Sequence, residues 1–119
     1  MLVLIMEDAP NIRAVLVEIV QLVDPDCTIL EASDLDQAFA LVQAHTFNLV
    51  ISDWNVPDEN EGLLLLRRLR QNKGTCPVLF VCSSRPPEQV LEAENLGIIG
   101  FINKPFNIED LTKALKCAA

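Results

Sequence analysis

Four short groups of residues in this chain have types suited to moving a phosphoryl group. They are the acidic pair Glu7-Asp8, the isolated Asp53 in "NLVISDWNVP" (48–57), the run Cys82-Ser83-Ser84, and Lys104-Pro105 in "FINKPF". Three carboxylates brought together do not all stay ionised unaided. At ~4 Å and an effective dielectric near ~20, each like-charged pair costs roughly 4 kcal/mol. A hard divalent cation resolves that repulsion: Mg²⁺ takes oxygen ligands and prefers one or two carboxylates together with phosphate oxygens. A lysine ammonium neutralises the phosphoryl oxygens that a metal does not reach. Carboxylate nucleophile, Mg²⁺ and lysine together point to phosphoryl transfer to an aspartate. The adjacent Glu7 and Asp8 read as metal ligands, and Asp53, alone after an apolar run, reads as the acceptor.

That chemistry requires elements that deliver all four groups to one edge. "LVLIM" (2–6), "CTILEA" (27–32), residues 48–52, "CPVLFVCS" (76–83) and "GIIGFIN" (97–103) read as strands. Between them the apolar spacing turns helical. Ile12, Val15, Leu16, Ile19, Leu22 and Val23 form one stripe, ended by Pro25, and Ser33 is placed to cap a second helix with core positions Leu35, Ala38, Phe39 and Val42. Leu63 to Leu69 reads as a third helix with Arg67, Arg68 and Arg70 outside; Leu63 to Leu66 cannot all face inward. Pro86 and Pro87 suit the first turn of a fourth helix running to about Leu96. Asn107 caps the last helix, whose apolar side is Ile108, Leu111 and Leu115. Five β-α repeats predict a parallel sheet covered on both faces, with ligands beyond the carboxyl ends of the strands. Every strand except the second ends in one of the polar groups above.

The bulk properties exclude several other chemistries. A chain of 119 residues is most simply one domain, and no apolar tract approaches a membrane span. The net charge of −8 argues against binding a nucleic-acid backbone. Cys27, Cys76, Cys82 and Cys117 form no CxxC pair, so reduced thiols are expected rather than zinc or a disulfide framework. His45 is the only histidine, reads as a solvated residue at a helix end, and leaves no material for a Ser-His-Asp triad. "MLVLIMED" lacks a basic leader, and the expected compartment is the cytoplasm.

Taken together, Glu7-Asp8, "SDWNVP" around Asp53, Gly62 opening the third helix, and "FINKPF" with Lys104-Pro105 resemble the receiver domain of two-component response regulators, CheY-like, over all 119 residues. The resemblance implies a flavodoxin-like (βα)5 doubly wound fold, five parallel strands in the order 2-1-3-4-5, and one phosphoacceptor domain spanning 1–119. It implies a signalling domain, not an enzyme, that assists its own phosphorylation and dephosphorylation. Asp53 would take a phosphoryl group from the phosphohistidine of a sensor histidine kinase or phosphotransfer protein, or from a small donor such as acetyl phosphate. Asp8 and Asp53 would bind Mg²⁺ directly, Glu7 through water, and Asn55 through its backbone carbonyl. Lys104 would pair with the phosphoryl group, with the Lys104-Pro105 bond cis. Phe101 falls at the switch aromatic, and Asn55 and Ser84 at the positions that tune phosphoaspartate hydrolysis. A homodimer through the face from the fourth helix to the fifth strand, no nucleic-acid contact by this domain and no membrane association are also implied.

Two features depart from that pattern. Cys82 stands where the family has Thr or Ser, and a thiol is a weaker, longer donor to a phosphoryl oxygen; Ser83 is close enough in sequence to substitute. The loop "PDENEG" is one residue longer than the common form and carries Asp58, Glu59 and Glu61, as a solvated loop or as a modified metal entrance or kinase contact. Cys82 keeps a rival reading open, a pseudo-receiver that binds partners without phosphorylation. A third, an Mg²⁺-dependent aspartyl-phosphate phosphohydrolase, would want an Asp at the position of Asn55 and a substrate-capping segment. Trp54 is assigned proximity to the acceptor and no chemistry.

Overall fold

The computed structural model describes residues 1–54, 61–71, 74–83 and 87–118. The chain alternates β1 (Leu2–Met6), α1 (Pro10–Val23), β2 (Thr28–Ala32), α2 (Leu35–Ala44), β3 (Leu49–Asp53), α3 (Glu61–Gln71), β4 (Val78–Cys82), α4 (Pro87–Asn95), β5 (Gly100–Asn103) and α5 (Ile108–Ala118). All strand pairs are parallel and the sheet order is β2-β1-β3-β4-β5. This is the flavodoxin-like order expected from the sequence.

The near-continuous apolar runs of β1, β3 and β4 belong to strands covered on both faces, and nearly every residue in them is buried. Alternation divides these strands between two cores. Leu4, Met6, Val50 and Phe80 face Ala38 of α2, Leu66 and Leu69 of α3 and Ala93 of α4. Val3, Ile5, Leu49, Ile51, Leu79 and Val81 face Leu16, Ile19 and Val20 of α1 and Leu111 and Leu115 of α5. β2 and β5 are the half-exposed edges. The chain leaves β1 toward β2 and returns on the other side at β3. The strand order therefore reverses between β1 and β3, and their carboxyl ends flank a crevice.

Several helix details differ from the sequence reading. α1 turns Leu16, Ile19 and Val20 inward, while Val15 and Leu22 are 42% and 75% exposed. The helix packs against the sheet and α5, and its buried stripe is narrower and centred about one residue on. Asp34, not Ser33, caps α2: its Oδ1 accepts from Gln37 N at 2.8 Å, and Ser33 N instead donates to Gln37 Oε1 at 2.8 Å. In α3, Leu63, Leu65, Leu66 and Leu69 are buried and Leu64 is the exposed leucine. Arg70 does not face outward with Arg67 and Arg68. Its guanidinium donates to the carbonyls of Leu96 (2.7 Å), Gly97 (2.7 Å), Cys76 (2.8 Å) and Gly74 (3.2 Å). Asn107 caps α5 as expected, with its Oδ1 accepting from Asp110 N at 2.7 Å, but Ile108 lies in an exposed first turn. β4 and β5 begin later than their apolar runs, at Val78 and Gly100. Before β5 the chain turns through Gly97 at φ +82°, a conformation L side chains resist.

Among the described residues no helix is long and apolar enough to cross a membrane. Among the described residues Cys27, Cys76 and Cys82 form no disulfide, and His45 is exposed at the end of α2.

Candidate functional site

The carboxyl ends of β1, β3, β4 and β5 carry the polar groups. Glu7 follows β1 directly, and its amide extends the sheet by donating to Ala32 O at 3.0 Å. Its carbonyl accepts from Arg13 Nη1 at 2.7 Å, and the Arg13 Nε binds Glu31 at 3.1 Å. Arg13 thus ties the acidic turn to α1 and β2. Sequence reasoning missed it, because nothing in the helical spacing marks an arginine that reaches backward. The chain then enters α1 at Pro10, whose missing N–H is one that a first helical turn leaves unbonded.

Glu7 is fully buried and Asp53 nearly so, while Asp8 is exposed at the rim. One carboxylate oxygen from each lies within 4.8 Å of the others. Asp53 ends β3, and its carbonyl accepts from Ser52 Oγ at 2.9 Å. Lys104 follows β5, with its amide donating to Cys82 O at 2.8 Å and a cis peptide bond to Pro105. The Lys104 Nζ sits between the two buried acids, 2.8 Å from Glu7 Oε1 and 3.1 Å from Asp53 Oδ2.

Two carboxylates and one ammonium leave a net negative charge in a buried place. Burial, followed by the hydrogen bond to Asp53, pushes the Glu7 carboxyl from 4.5 up to about 8, with Lys104 opposing. Burial works against the Lys104 ammonium, but its bonds to Glu7 and Asp53 outweigh that and hold its pKa above the ordinary value. Glu7 Oε2 is buried and meets no hydrogen-bond partner among the described residues. Two acceptor carboxylates can face each other only with a proton or a cation between them. The donor set is all oxygen and carries up to three negative charges, which fits Mg²⁺.

Cys82 ends β4, is buried within the core on the α2–α4 side, and pairs with Asn103 of β5. Ser83 is exposed at the rim. Phe101 is half-buried on β5, 5.2 Å from the ring of Trp54, which is wholly buried. Asn55 and Ser84 lie outside the described residues, as do Asp58 and Glu59; Glu61 opens α3. Gly62 is where a close approach requires glycine: a Cβ there would fall 2.7 Å from Asp53 O and 2.9 Å from Phe80 Cε1. Beside Lys104, a groove of about 520 Å³ is lined by Asn11, Ile12, Val15, Pro105 and Phe106.

An acidic crevice at the strand-order reversal of a five-stranded parallel sheet, bridged by a lysine, defines a receiver-type domain. The family model of the response regulator receiver domain matches residues 3–116, and the chain belongs to that family. Receiver domains of this family are signalling domains of two-component systems. The chain is 31% identical over 115 residues to a "Glycerol metabolism activator" of Pseudomonas putida, covering 96% of this chain but only 52% of that protein. It is 33% identical over 87 residues to chemotaxis protein CheY-3 of Vibrio cholerae, covering 71% of this chain and 66% of that one. The solved structure of the chemotaxis response regulator CheY4 of Vibrio cholerae superposes with a TM-score of 0.82 at 30% identity, covering 99% and 98% of the two chains.

Proposed function

We propose that this chain is a phosphorylation-switched receiver in which Asp53 is the phosphoacceptor. The observation that carries the proposal is Lys104 Nζ bridging the buried Glu7 and Asp53, with Asp8 at the rim of the same cluster. Glu7, Asp8 and Asp53, with the Asn55 carbonyl implied by the family resemblance, would hold Mg²⁺. When bound, that ion supplies charge neutralisation for the acids and for the phosphoryl oxygens. An Asp53 carboxylate oxygen attacks phosphorus, the P–N bond of a donor phosphohistidine breaks, and its electron pair stays with the histidine nitrogen. The product is an acyl phosphate on Asp53. Lys104 then exchanges its contact with the carboxylate for one with a phosphoryl oxygen, releasing its hold on Asp53. Water later attacks the phosphorus and returns Asp53 with inorganic phosphate, at a rate tuned by the side chains at 55 and 84.

The phosphodonor is a sensor histidine kinase or phosphotransfer protein. The groove beside Lys104, with the exposed Val15, supports its approach from the α1 side. Residues 1–119 act as one domain in the cytoplasm and signal through the face from α4 to β5, where Leu91 is 62% exposed, to a partner or a second copy. The net charge of −8 supports a domain that makes no nucleic-acid contact of its own. A phosphorylation-independent binding module is the second reading, favoured by one observation: the group at the end of β4 is the thiol of Cys82 rather than a hydroxyl.

Trp54 is the only tryptophan and adjoins the acceptor, so its fluorescence reports on the site. Mg²⁺ is titrated, then acetyl phosphate or beryllofluoride is added, beside an Asp53→Asn control. The expected result is a metal- and donor-dependent change absent from the control, with intact mass showing one added phosphoryl group from acetyl phosphate. Metal binding with neither donor response nor mass increase would establish the second reading instead. No response to metal or donor would remove both the acceptor and the metal site.

A further inference from the structure

The rings beside the acceptor give residue 54 more than proximity. Trp54 is wholly buried and meets Phe80 edge-on at 4.9 Å and Phe101 at 5.2 Å. Phe80 and Phe101 stack at 5.6 Å and 23°, closing a triangle of rings. The backbone of Trp54 is fixed from both sides. Its N–H donates to Val81 O at 3.0 Å, and its carbonyl accepts from Gly62 N at 3.0 Å. A close-packed interior passes displacement on rather than absorbing it. A shift of the main chain at Asp53 and Trp54 must therefore move the indole against its neighbours. Phe80 is fully buried on the central β4, whereas Phe101 is half-buried on the edge strand β5 and has room to move.

Two further observations point the same way. Trp54 Nε1 is buried without an acceptor among the described residues, although buried indole N–H groups usually find one. A tilt that gave it an acceptor would compete with the packing seen here. At the end of β4, the thiol of Cys82 is a weaker donor than the hydroxyl it replaces, so a route through that group is weakened.

We propose that Trp54 is a positioning residue that passes the state of Asp53 to Phe101 by direct ring contact, supplying coupling that Cys82 cannot supply through a hydroxyl. The proposal rests on the phosphoacceptor reading above. Protein grown with para-fluorophenylalanine gives fluorine resonances for its five phenylalanines, with Phe101 assigned by its loss in Phe101→Leu. Mg²⁺ and beryllofluoride are added to the wild type, to Trp54→Met, which fills space without a ring, and to Trp54→Phe, which keeps a ring. Bound beryllofluoride has its own fluorine signal, so occupancy of Asp53 is read in the same spectrum.

The expected result is occupancy in all three proteins, with the Phe101 resonance shifting in the wild type and Trp54→Phe but not in Trp54→Met. A shift that persists in occupied Trp54→Met overturns the proposal, as does an unmoved Phe101 in the occupied wild type. No bound beryllofluoride in the wild type overturns the phosphoacceptor reading itself, and the proposal with it. Should Trp54→Met fail to fold, thermodynamic reciprocity decides. Coupled sites change one another's affinity by the same factor, so Phe101→Leu is expected to move half-occupancy by beryllofluoride by about 5-fold or more. An unchanged midpoint overturns the coupling.

Discussion

Glu7 is the residue at which folding and the proposed metal binding would oppose each other most directly. Folding raises its carboxyl from 4.5 to about 8, first through burial and then through Asp53. Between those values the folded, metal-free chain holds a proton that the unfolded chain has released. Stability from this group is fully present below about 4.5 and is lost as pH rises through about 8. Urea unfolding in EDTA across that window is expected to show the midpoint falling with pH, and Glu7→Gln to flatten the slope. A wild-type midpoint that rises instead would contradict the assignment. Gly62 offers a second test at this scale. Gly62→Ala places a methyl 2.7 Å from Asp53 O and 2.9 Å from a fully buried ring, and overpacking of that kind costs about 1–3 kcal/mol. The same denaturation measurement reads that loss. The acids and the lysine were legible in the sequence from residue type and position at a strand end, and Gly62 from the family resemblance at the start of the third helix. The indole of Trp54 was not. Its burial follows from the alternation of β3, which turns position 54 to the same core as Val50, and from the rings that two other strands bring to meet it.

At the scale of elements, periodicity found every strand and helix but fixed neither the width of a buried stripe nor the reach of a long side chain. Val15, Leu22 and Ile108 fit helical spacing yet lie outside the contacts that the sheet and the paired helix provide. Arg70 shows the converse. It follows two outward arginines in sequence, and its position on α3 carries no sign of the carbonyls that other elements bring within reach. It joins the end of α3, the approach to β4 and the turn after α4, so its loss acts on three elements at once. Arg70→Ala is expected to destabilise by about 2–4 kcal/mol, since several partly buried acceptors lose a charged donor together. Arg70→Lys should recover only part of this, because an ammonium lacks the planar fork that reaches separate acceptors. Equal urea midpoints for Arg70→Lys and the wild type would show that charge alone suffices.

For the whole molecule, the sheet sets the order in which protection from solvent is lost. β1, β3 and β4 are buried on both faces, while β2 and β5 each leave an edge unpaired. Hydrogen exchange is expected to protect amides of the three central strands up to the free energy of global unfolding, with β2 and β5 exchanging through smaller openings. Equal protection across all five strands would indicate that the edges are covered by something beyond the helices described. The overall topology was legible from the sequence because five β-α repeats admit few right-handed parallel arrangements. The two cores have a longer-term consequence. The α1–α5 core backs the side from which a phosphodonor would approach, and the α2–α4 core backs the side through which a signal would leave. The side chains of the two cores meet only across the sheet backbone. Substitutions that refit one side to a new partner are therefore largely insulated from the packing that supports the other. A lineage carrying this chain can change its listeners and its talkers one at a time.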